Sequence, residues 1–228
     1  MPYQRLLMKQ IIIALDGYSG TGKSSTAKEV AKALGYTYID SGAMYRATTF
    51  YFLENEIDVN DIEQVNQALN QIKISFSDNH VLLNGVDISD EIRTMRINEN
   101  VSMVSAIKEV RVAMVSQQQQ IGEERGIVMD GRDIATVVFP DAELKVFMIA
   151  NADVRAERRQ RELAEKGIHE ELNVIKLNLL DRDKIDSSRA ESPLKKADDA
   201  VEVDTSYLTF DEQVHKIVEL AKDVIHAG

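Results

Sequence analysis

The stretch IIIALDGYSGTGKSS at residues 11–25 decides the fold of this chain. Five apolar residues at 11–15 stand just before GYSGTGKS at 17–24, which matches the motif G-x-x-x-x-G-K-[ST] completely. The motif binds phosphate where a buried strand turns through glycines into a helix, because backbone N–H groups and the helix N-terminus then face the anion. Helical spacing of apolar residues continues over AKEVAKAL at 27–34. The stretch therefore predicts a strand, a phosphate-binding loop and a helix, with a nucleoside triphosphate as the ligand.

Each residue type in this loop has a physical reason to be there. The glycines adopt backbone conformations, and allow a close approach of phosphate, that side chains would prevent. We expect Lys23 to face solvent at the helix start and to reach the β- and γ-phosphates, and the Ser24 hydroxyl to ligate Mg²⁺. The predicted nucleotide-binding residues are Gly17, Tyr18, Ser19, Gly20, Thr21, Gly22, Lys23, Ser24 and Ser25.

Charge and composition narrow the possible partners. The chain has 27 Lys and Arg against 38 Asp and Glu, a net charge of −11, which argues against a general attraction to nucleic acid or to an anionic membrane. Any polyanion must therefore be held by local clusters of basic residues. The chain has no Cys, which excludes disulfides and thiolate metal sites, and its four His show no ligand spacing. Mg²⁺ carried in with the nucleotide is the only metal we expect.

The length and the termini set further expectations. A chain of 228 residues can form one α/β core with a small insertion. No apolar run approaches the roughly 20 residues of a membrane span. The segment MPYQRLL at 1–7 lacks the long apolar region and cleavage site of a signal peptide, so we expect a cytoplasmic protein in which 1–7 is an extension or an alternative start before Met8.

Strand and helix patterns alternate along most of the chain. Short, mostly apolar runs predict strands at 10–15, 36–40, 126–130, 144–150 and 200–205. Helical spacing predicts helices ending near Leu34, before Gly35, and at 42–54, 97–121, 153–166, 170–185 and 210–226. This alternation predicts an α/β fold: a P-loop NTPase-type doubly wound parallel sheet of about five strands, with the ligand at the carboxyl ends of the strands.

One region interrupts this alternation. After a polar helix near 61–71, the segments IKISFS and HVLLNG alternate apolar and polar residues on either side of Asp78-Asn79, which predicts a β-hairpin. VDISDEI, which begins at Val86, is a candidate third strand. We therefore predict an antiparallel insertion at 63–94, a core domain at 8–62 and 95–228, and a helical lid at about 153–170.

The motif DSGAMYR at 40–46 follows the second predicted strand. Ser41 and Gly42 would lie at a helix N-terminus with Arg46 one turn later, an arrangement that favours an anion. The alternative is that Ser41 is only an N-cap.

The motif DGRD at 130–133 follows another apolar strand. The Asp130 carboxylate can orient Mg²⁺-bound water opposite the loop, and Arg132 offers a planar fork to a phosphate. The alternative is a polar turn in which Arg132 and Asp133 pair with each other.

Arginine is concentrated in two later segments, RAERRQR at 155–161 and DRDKIDSSR at 181–189. Arg155, Arg158 and Arg159 share one helix face because they are spaced three and four residues apart. Neighbouring glutamates allow this face to be an exposed, salt-bridged surface. Its position after the fourth strand favours instead a mobile lid that brings positive charge over a transferring phosphoryl group and excludes water.

Taken together, these segments resemble those of bacterial cytidylate kinases. The matching segments, in the order and spacing of that family, are GYSGTGKSS, DSGAMYR, EIRT at 91–94, DGRDIATVVFPDA at 130–142 and RDKIDSSRAESPL at 182–194. The resemblance runs from about residue 9 to the C-terminus. It implies a nucleoside monophosphate kinase fold whose insertion resembles the extended acceptor-binding domain of bacterial members. It also implies transfer of the γ-phosphoryl group of ATP to CMP or dCMP with Mg²⁺. We expect a monomer whose partners are these nucleotides.

The resemblance also implies roles for individual residues. Lys23, Arg132 and the lid arginines Arg158 and Arg159 would be catalytic. The implied acceptor residues are Arg46, Arg132 and Arg189 for the phosphate, with Ser41 nearby, then Ser102, Arg111 and Asp133 around the cytosine, and Arg182 and Asp186 near the sugar and phosphates. Mg²⁺ would be held by Ser24 and, through water, by Asp130. One departure from the family is Tyr18, at a loop position where the family often has Pro, and 181–189 carries fewer arginines than some relatives.

The acceptor in this chemistry needs no general base. A phosphate monoester loses its second proton near a pKa of about 6, so the attacking oxygen is already anionic at neutral pH. Catalysis must instead overcome repulsion between two polyanions, which is why basic groups and Mg²⁺ converge. Two alternatives stay open: a P-loop kinase acting on a small-molecule hydroxyl, with Asp40 as its base, and a nucleotide-dependent switch, although the chain has no N-K-x-D guanine element.

Overall fold

A computed structural model of the protein describes residues 9–77, 80–165 and 167–227. The segment 1–7 and the predicted turn at Asp78-Asn79 lie outside these residues. The chain divides into two compact units, one formed by the residues up to Tyr38 and from Glu124 on, the other by Ile39–Glu123. The predicted insertion at 63–94 falls within the second unit, and the boundaries of core, insertion and lid stay predictions.

The strands of the described residues are β1 (Ile12–Gly17), β2 (Thr37–Asp40), β3 (Ile74–Ser77), β4 (His80–Leu83), β5 (Val86–Asp87), β6 (Ile127–Asp130), β7 (Leu144–Ile149) and β8 (Val201–Asp204). The α-helices are α1 (Lys23–Leu34), α2 (Ser41–Glu54), α3 (Ile62–Leu69), α4 (Met95–Val104), α5 (Lys108–Gly122), α6 (Ala152–Glu165), α7 (Leu172–Ser188) and α8 (Phe210–His226). A 3₁₀ turn at Glu91–Arg93 precedes α4, and a π-helical turn at Ile134–Val138 follows β6.

The first sheet has five strands in the order β2-β6-β1-β7-β8. β1 lies in the middle, parallel to β6 on one side and to β7 on the other. The predicted doubly wound parallel sheet is therefore confirmed. β1 begins two residues later than predicted and continues to Gly17, because its register pairs Gly17 with Met148 of β7. Gly17 has φ +145°, and a Cβ there would collide with the Met148 carbonyl oxygen, so only glycine fits.

Apolar side chains on one face of this sheet pack against α1 and α8. Ile13 and Leu15 of β1 and Val146 of β7 share one buried cluster with Val30 of α1 and Ile217 of α8. Burying each large aliphatic side chain contributes about 1.5–3 kcal/mol. The packing fixes β1 and α1, and with them both ends of the loop at 17–24.

The second unit contains a smaller sheet. β3, β4 and β5 pair antiparallel in that order, which confirms the predicted hairpin and its third strand. Their inner face joins Met44 and Phe52 of α2, Val65 of α3 and Met114 of α5 in one buried cluster. Among the described residues, no helix combines the length and apolar character that a membrane span requires.

The single long helix predicted at 97–121 is wrong, because α4 and α5 are separated at 105–107. The Ser105 hydroxyl donates to the Ser102 carbonyl oxygen at 3.1 Å, and Arg111 Nη1 donates to the Ser105 carbonyl oxygen at 3.2 Å. Ile107 then has an extended backbone, with ψ 125°, as the N-cap of α5. Side chains of both helices point into the same cluster, so the apolar spacing continues across the break.

Candidate active site

The phosphate-binding loop connects the end of β1 to the start of α1. Gly22, in a left-handed conformation, is the N-cap of α1, and Lys23 is its first residue. Lys23 is only 5% exposed, and its Nζ donates to the Tyr18 carbonyl oxygen at 2.7 Å. The expectation that Lys23 faces solvent is therefore wrong. Its ammonium group lies against the backbone of the loop, where the Tyr18 carbonyl oxygen takes the place of a water molecule as its hydrogen-bond partner.

Positive charge accumulates around this ammonium group. Burial lowers the pKa of Lys23 well below its usual range, and the nearby charge of Arg132 lowers it further. Asp130 and Asp16 act in the opposite direction, and Arg182 adds to the lowering. A buried cation with two guanidinium groups nearby is an environment that a polyanion would stabilise.

The predicted metal-binding residues Ser24 and Asp130 contact each other. The Ser24 hydroxyl donates to Asp130 Oδ2 at 2.7 Å, and the Tyr38 hydroxyl donates to Asp130 Oδ1 at 2.8 Å. Asp130 is 4% exposed at the end of β6. A hydroxyl and a carboxylate are oxygen donors of the kind that Mg²⁺ prefers, so the residues fit this ion.

Two predicted acceptor arginines share one carboxylate. Asp186, which is 3% exposed, accepts from Arg132 Nε at 2.8 Å and from Arg189 Nη2 at 2.5 Å. Arg132 Nη2 also approaches the Ser19 hydroxyl of the loop at 3.5 Å. Asp186 therefore fixes two guanidinium groups side by side, and one of them borders the loop.

The two predicted lid arginines lie in different surroundings. Arg158 Nη1 donates to the Thr21 carbonyl oxygen at 3.3 Å, and its Nη2 donates to the Thr205 carbonyl oxygen at 2.6 Å. Burial lowers the pKa of this guanidinium below its usual value. Arg159 instead forms an exposed ion pair with Glu162 one turn along α6. The structure therefore places Arg158 against the loop and Arg159 on the salt-bridged surface.

In the second unit, Asp40 organises the start of α2. Asp40 is the N-cap, its Oδ1 accepts from the Ala43 N–H at 2.8 Å, and its Oδ2 accepts from Arg46 Nη2 at 3.0 Å. Ser41 is the buried first residue of the helix. The alternative that Ser41 is the N-cap is therefore wrong, because the Asp40 carboxylate takes that role and also orients Arg46.

Arg111 and Ser102 meet at the break between α4 and α5. Both are linked through Ser105, whose carbonyl oxygen accepts from Arg111 and whose hydroxyl donates to the Ser102 carbonyl oxygen. The buried Arg111 guanidinium lies 5.3 Å from the centre of the Tyr45 ring on α2. The turn that the sequence pattern does not reveal therefore positions two predicted acceptor residues.

Asp16 is a site residue that the sequence reasoning missed. It is 1% exposed at the end of β1, and its two carboxylate oxygens accept the Ile134 N–H at 3.0 Å and the Ala135 N–H at 2.8 Å. Burial raises the pKa of Asp16 to about 7, against the lowering effect of these hydrogen bonds, and Asp133 raises it as well. A single charged residue in the buried strand IIALDG was the signal for it. Asp16 holds the turn that carries the buried Asp133.

Comparison with known proteins decides the family. A family model for cytidylate kinase matches residues 13–223. The chain belongs to the cytidylate kinase family. The cytidylate kinase of Cytophaga hutchinsonii is 53% identical over 220 residues, which cover 94% of each chain. That of Bacteroides fragilis is 51% identical over 215 residues, 90% of this chain and 94% of that one.

A solved structure extends the likeness beyond recognisable sequence. An uncharacterized protein from Eubacterium ventriosum is 12% identical, with a TM-score of 0.51 over 96% of this chain and 100% of that one. At this identity the likeness concerns the fold alone.

The structure places most of the residues predicted from the cytidylate kinase resemblance in three sets, one in the first unit and two in the second. In the first unit, the residues around the loop are Lys23, Ser24, Asp130, Arg132, Arg158, Arg182, Asp186 and Arg189. In the second unit, the α2 set is Ser41 and Arg46, and the set at the α4–α5 turn is Ser102 and Arg111. Arg159 lies apart from the loop on the exposed face of α6.

Proposed function

We propose that the protein transfers the γ-phosphoryl group of ATP to CMP or dCMP, giving ADP and CDP or dCDP. Membership of the cytidylate kinase family supports the reaction and the acceptor. The observation that carries the proposal is the group of basic side chains at the loop, where Lys23 contacts Tyr18, Arg132 borders Ser19 and Arg158 borders Thr21. In a chain of net charge −11, such a concentration needs a reason, and a transferring phosphoryl group between two nucleotides provides one.

The reaction is an in-line displacement. An anionic phosphate oxygen of the acceptor forms a bond to the γ-phosphorus of ATP while the bond from that phosphorus to the β–γ bridging oxygen breaks, and ADP leaves with the electron pair. Because the acceptor oxygen is already deprotonated, no side chain has to remove a proton. The protein contributes orientation and positive charge, and Lys23 exchanges its carbonyl partner on Tyr18 for phosphate oxygens.

Arg132 and Arg189 bind the acceptor phosphate in this proposal. Their shared partner Asp186 fixes the planes of both guanidinium groups before the acceptor arrives, which reduces the ordering cost of binding. Asp40 orients Arg46 in the same way. These arginines are paired through one edge, and the remaining N–H groups of a guanidinium can still donate to a phosphate.

The cytosine and sugar contacts rest on the family resemblance. Ser102, Arg111 and Asp133 would contact the base, and Arg182 would contact the sugar or phosphates. Burial of Arg111 and Asp133 supports a recognition role, because a buried polar group left without its partner discriminates strongly against a wrong base.

Ser24 and Asp130 would hold Mg²⁺, Asp130 through a water molecule. When bound with ATP, the ion neutralises charge on the β- and γ-phosphates. Arg158 would add positive charge from α6, since it already borders the loop at Thr21. A catalytic role for Arg159, the monomeric state and the cytoplasmic location stay predictions of the sequence.

The hydroxyl-kinase alternative is less well supported. It needs a carboxylate base, and both oxygens of its candidate Asp40 already accept from Ala43 and Arg46. It also gives no reason for two acceptor-side arginines on Asp186. The switch alternative gives no reason for them either.

A panel of acceptors tests the proposal. We would measure ADP formation from ATP and Mg²⁺ with each nucleoside monophosphate in turn, with small-molecule alcohols, and with no acceptor. We expect rapid ADP formation only with CMP and dCMP. ADP formed only with an alcohol would favour the hydroxyl kinase, and ADP formed equally with no acceptor would favour the switch.

A further inference from the structure

Two helices hold one peptide segment of the phosphate-binding loop from both sides. Asp183 of α7 accepts the Ser19 N–H at 3.0 Å, and Arg155 Nη1 of α6 donates to the Ser19 carbonyl oxygen at 3.0 Å. Arg155 and Asp183 also form an ion pair with each other. The backbone N–H of Ser19 is therefore bound by Asp183 and its C=O by Arg155. These two oppositely charged side chains also pair with each other.

This ion pair is buried, so its two charges are removed from water at a cost in free energy of folding. Arg155 is 5% exposed and Asp183 is 7% exposed. Taking two charges out of water costs free energy that their mutual attraction returns only in part, so a buried ion pair is weak evidence of a stabilising role. A pair kept at this cost, and aimed at the backbone of a ligand-binding loop, indicates a role in orienting that loop.

The neighbours of the pair fix the adjoining loop residues as well. The Arg155 guanidinium lies 5.5 Å from the centre of the Tyr18 ring, and the edge of that ring packs on Phe147 at 5.7 Å between centroids. A Cβ on Gly20 would lie 3.2 Å from Arg155 Cβ, so α6 approaches the loop as closely as a glycine allows.

We propose that Arg155 and Asp183 are a positioning pair for the phosphate-binding loop. By fixing the two peptide groups that flank Ser19, they aim the following backbone N–H groups at the phosphates before ATP binds. They also tie the loop to α6 and α7, so that a displacement of these helices changes the affinity of the loop for phosphate. In this proposal both side chains act on the loop backbone and not on the transferring group. The inference rests on the proposed function only in taking ATP and ADP as ligands of the loop.

The test replaces both charged residues of the pair with apolar residues of similar size. The double variant Arg155→Met/Asp183→Leu keeps approximate side-chain volume and removes both hydrogen bonds to Ser19. Such exchanges of buried ion pairs often leave stability unchanged or raise it. The control is Asp153→Ala/Lys176→Ala, which removes a 2.5 Å ion pair between the same two helices that does not contact the loop. Dissociation constants for ADP and ATP with Mg²⁺, measured by calorimetry without any acceptor, are the readout, together with the midpoint of thermal unfolding.

We expect the apolar double variant to bind ADP at least about tenfold more weakly than the wild type, because the loop loses its preorganisation. Its unfolding midpoint should fall only modestly, because the Ser19 N–H and C=O lose their partners while the cost of burying two charges is removed. The control should bind ADP as the wild type does. Unchanged ADP binding in a folded double variant would overturn the inference.

If the double variant does not fold, Asp183→Asn replaces it, since this keeps the shape and one acceptor but not the charge. A rise of at least about threefold in the ADP dissociation constant would support the inference, and no rise would overturn it. A wild-type protein that binds neither ADP nor ATP would contradict the proposed function instead.

Discussion

Asp16 is a buried carboxyl group whose protonation should depend on folding. Burial holds its pKa at about 7 in the folded protein, above the 3.8 of an exposed Asp. The folded state therefore binds the proton more tightly than the unfolded state does. The contribution of Asp16 to stability is complete below about pH 4 and is lost as the pH rises towards 7, at about 1.4 kcal/mol per pH unit.

The variant Asp16→Asn should remove this dependence. Between pH 5 and pH 7, the free energy of unfolding of the wild type should fall relative to that of the variant by about 2–3 kcal/mol. Urea denaturation of both proteins across this range measures the difference. Parallel curves would mean that Asp16 is ionised throughout.

The variant Lys23→Ala should lose turnover but not stability. Less than about a tenth of the wild-type turnover should remain at saturating ATP, a loss of at least about 1.4 kcal/mol in transition-state stabilisation. The urea midpoint should be unchanged or higher, because the buried ammonium group is costly to desolvate. Lys32→Ala, on the exposed side of the same helix, is the control and should leave both quantities unchanged. Turnover above a tenth of wild type would remove Lys23 from its proposed role.

Substitution of the acceptor arginines should weaken the binding of CMP but not that of ATP. Arg46→Ala and Arg189→Ala should each raise the KM for CMP and lower turnover, with little effect on ATP affinity, because each removes a charge-assisted contact to the acceptor alone. Arg96→Ala removes an exposed pair with Glu54 in the second unit and should change neither. Equal weakening of ATP and CMP in both acceptor variants would assign these arginines to the donor site.

At the scale of elements, two N-caps in the second unit can be compared. Asp40 caps α2 and also orients Arg46, whereas Asp61 caps α3 by accepting the Glu63 and Gln64 N–H groups without an arginine partner. Asp40→Ala and Asp61→Ala should each cost about 1 kcal/mol of stability. Only Asp40→Ala should also raise the KM for CMP. An equal effect of the two variants on CMP kinetics would show that Asp40 acts as a cap alone.

The limits of prediction are also visible at this scale. The loop, the strand before it and α8 could be predicted from sequence because their signals are local: glycine spacing, an apolar run and a helical period. The break at 105–107 could not, because it depends on Arg111 reaching back to the Ser105 carbonyl oxygen. The burial of Lys23 was missed for the same reason, since it depends on how the loop folds over its ammonium group. The arginines were found from the family resemblance, whereas their orientation by Asp186 required the structure.

At the scale of the whole molecule, the net charge is negative, whereas the residues that would bind nucleotides are mostly basic. The chain carries a net charge of −11, and the residues that would bind nucleotides form local basic groups, best seen around Lys23. Binding of nucleotide must therefore arise from local geometry, and specificity for the base must arise from single polar contacts. Asp133, buried at the turn held by Asp16, is the strongest candidate for such a contact.

The most direct test of a cytidylate kinase is its choice between CMP and UMP. Cytosine presents an N4–H₂ donor where uracil presents an oxygen, so the Asp133 carboxylate at that edge would accept from CMP and face a lone pair in UMP. The measurement is kcat/KM for CMP, dCMP and UMP with ATP and Mg²⁺, in the wild type and in Asp133→Asn. We expect the wild type to prefer CMP and dCMP over UMP by at least about a hundredfold, and the variant, whose amide can donate to uracil, to reduce that ratio. Comparable values for CMP and UMP in the wild type would contradict the assignment and indicate a broader pyrimidine monophosphate kinase.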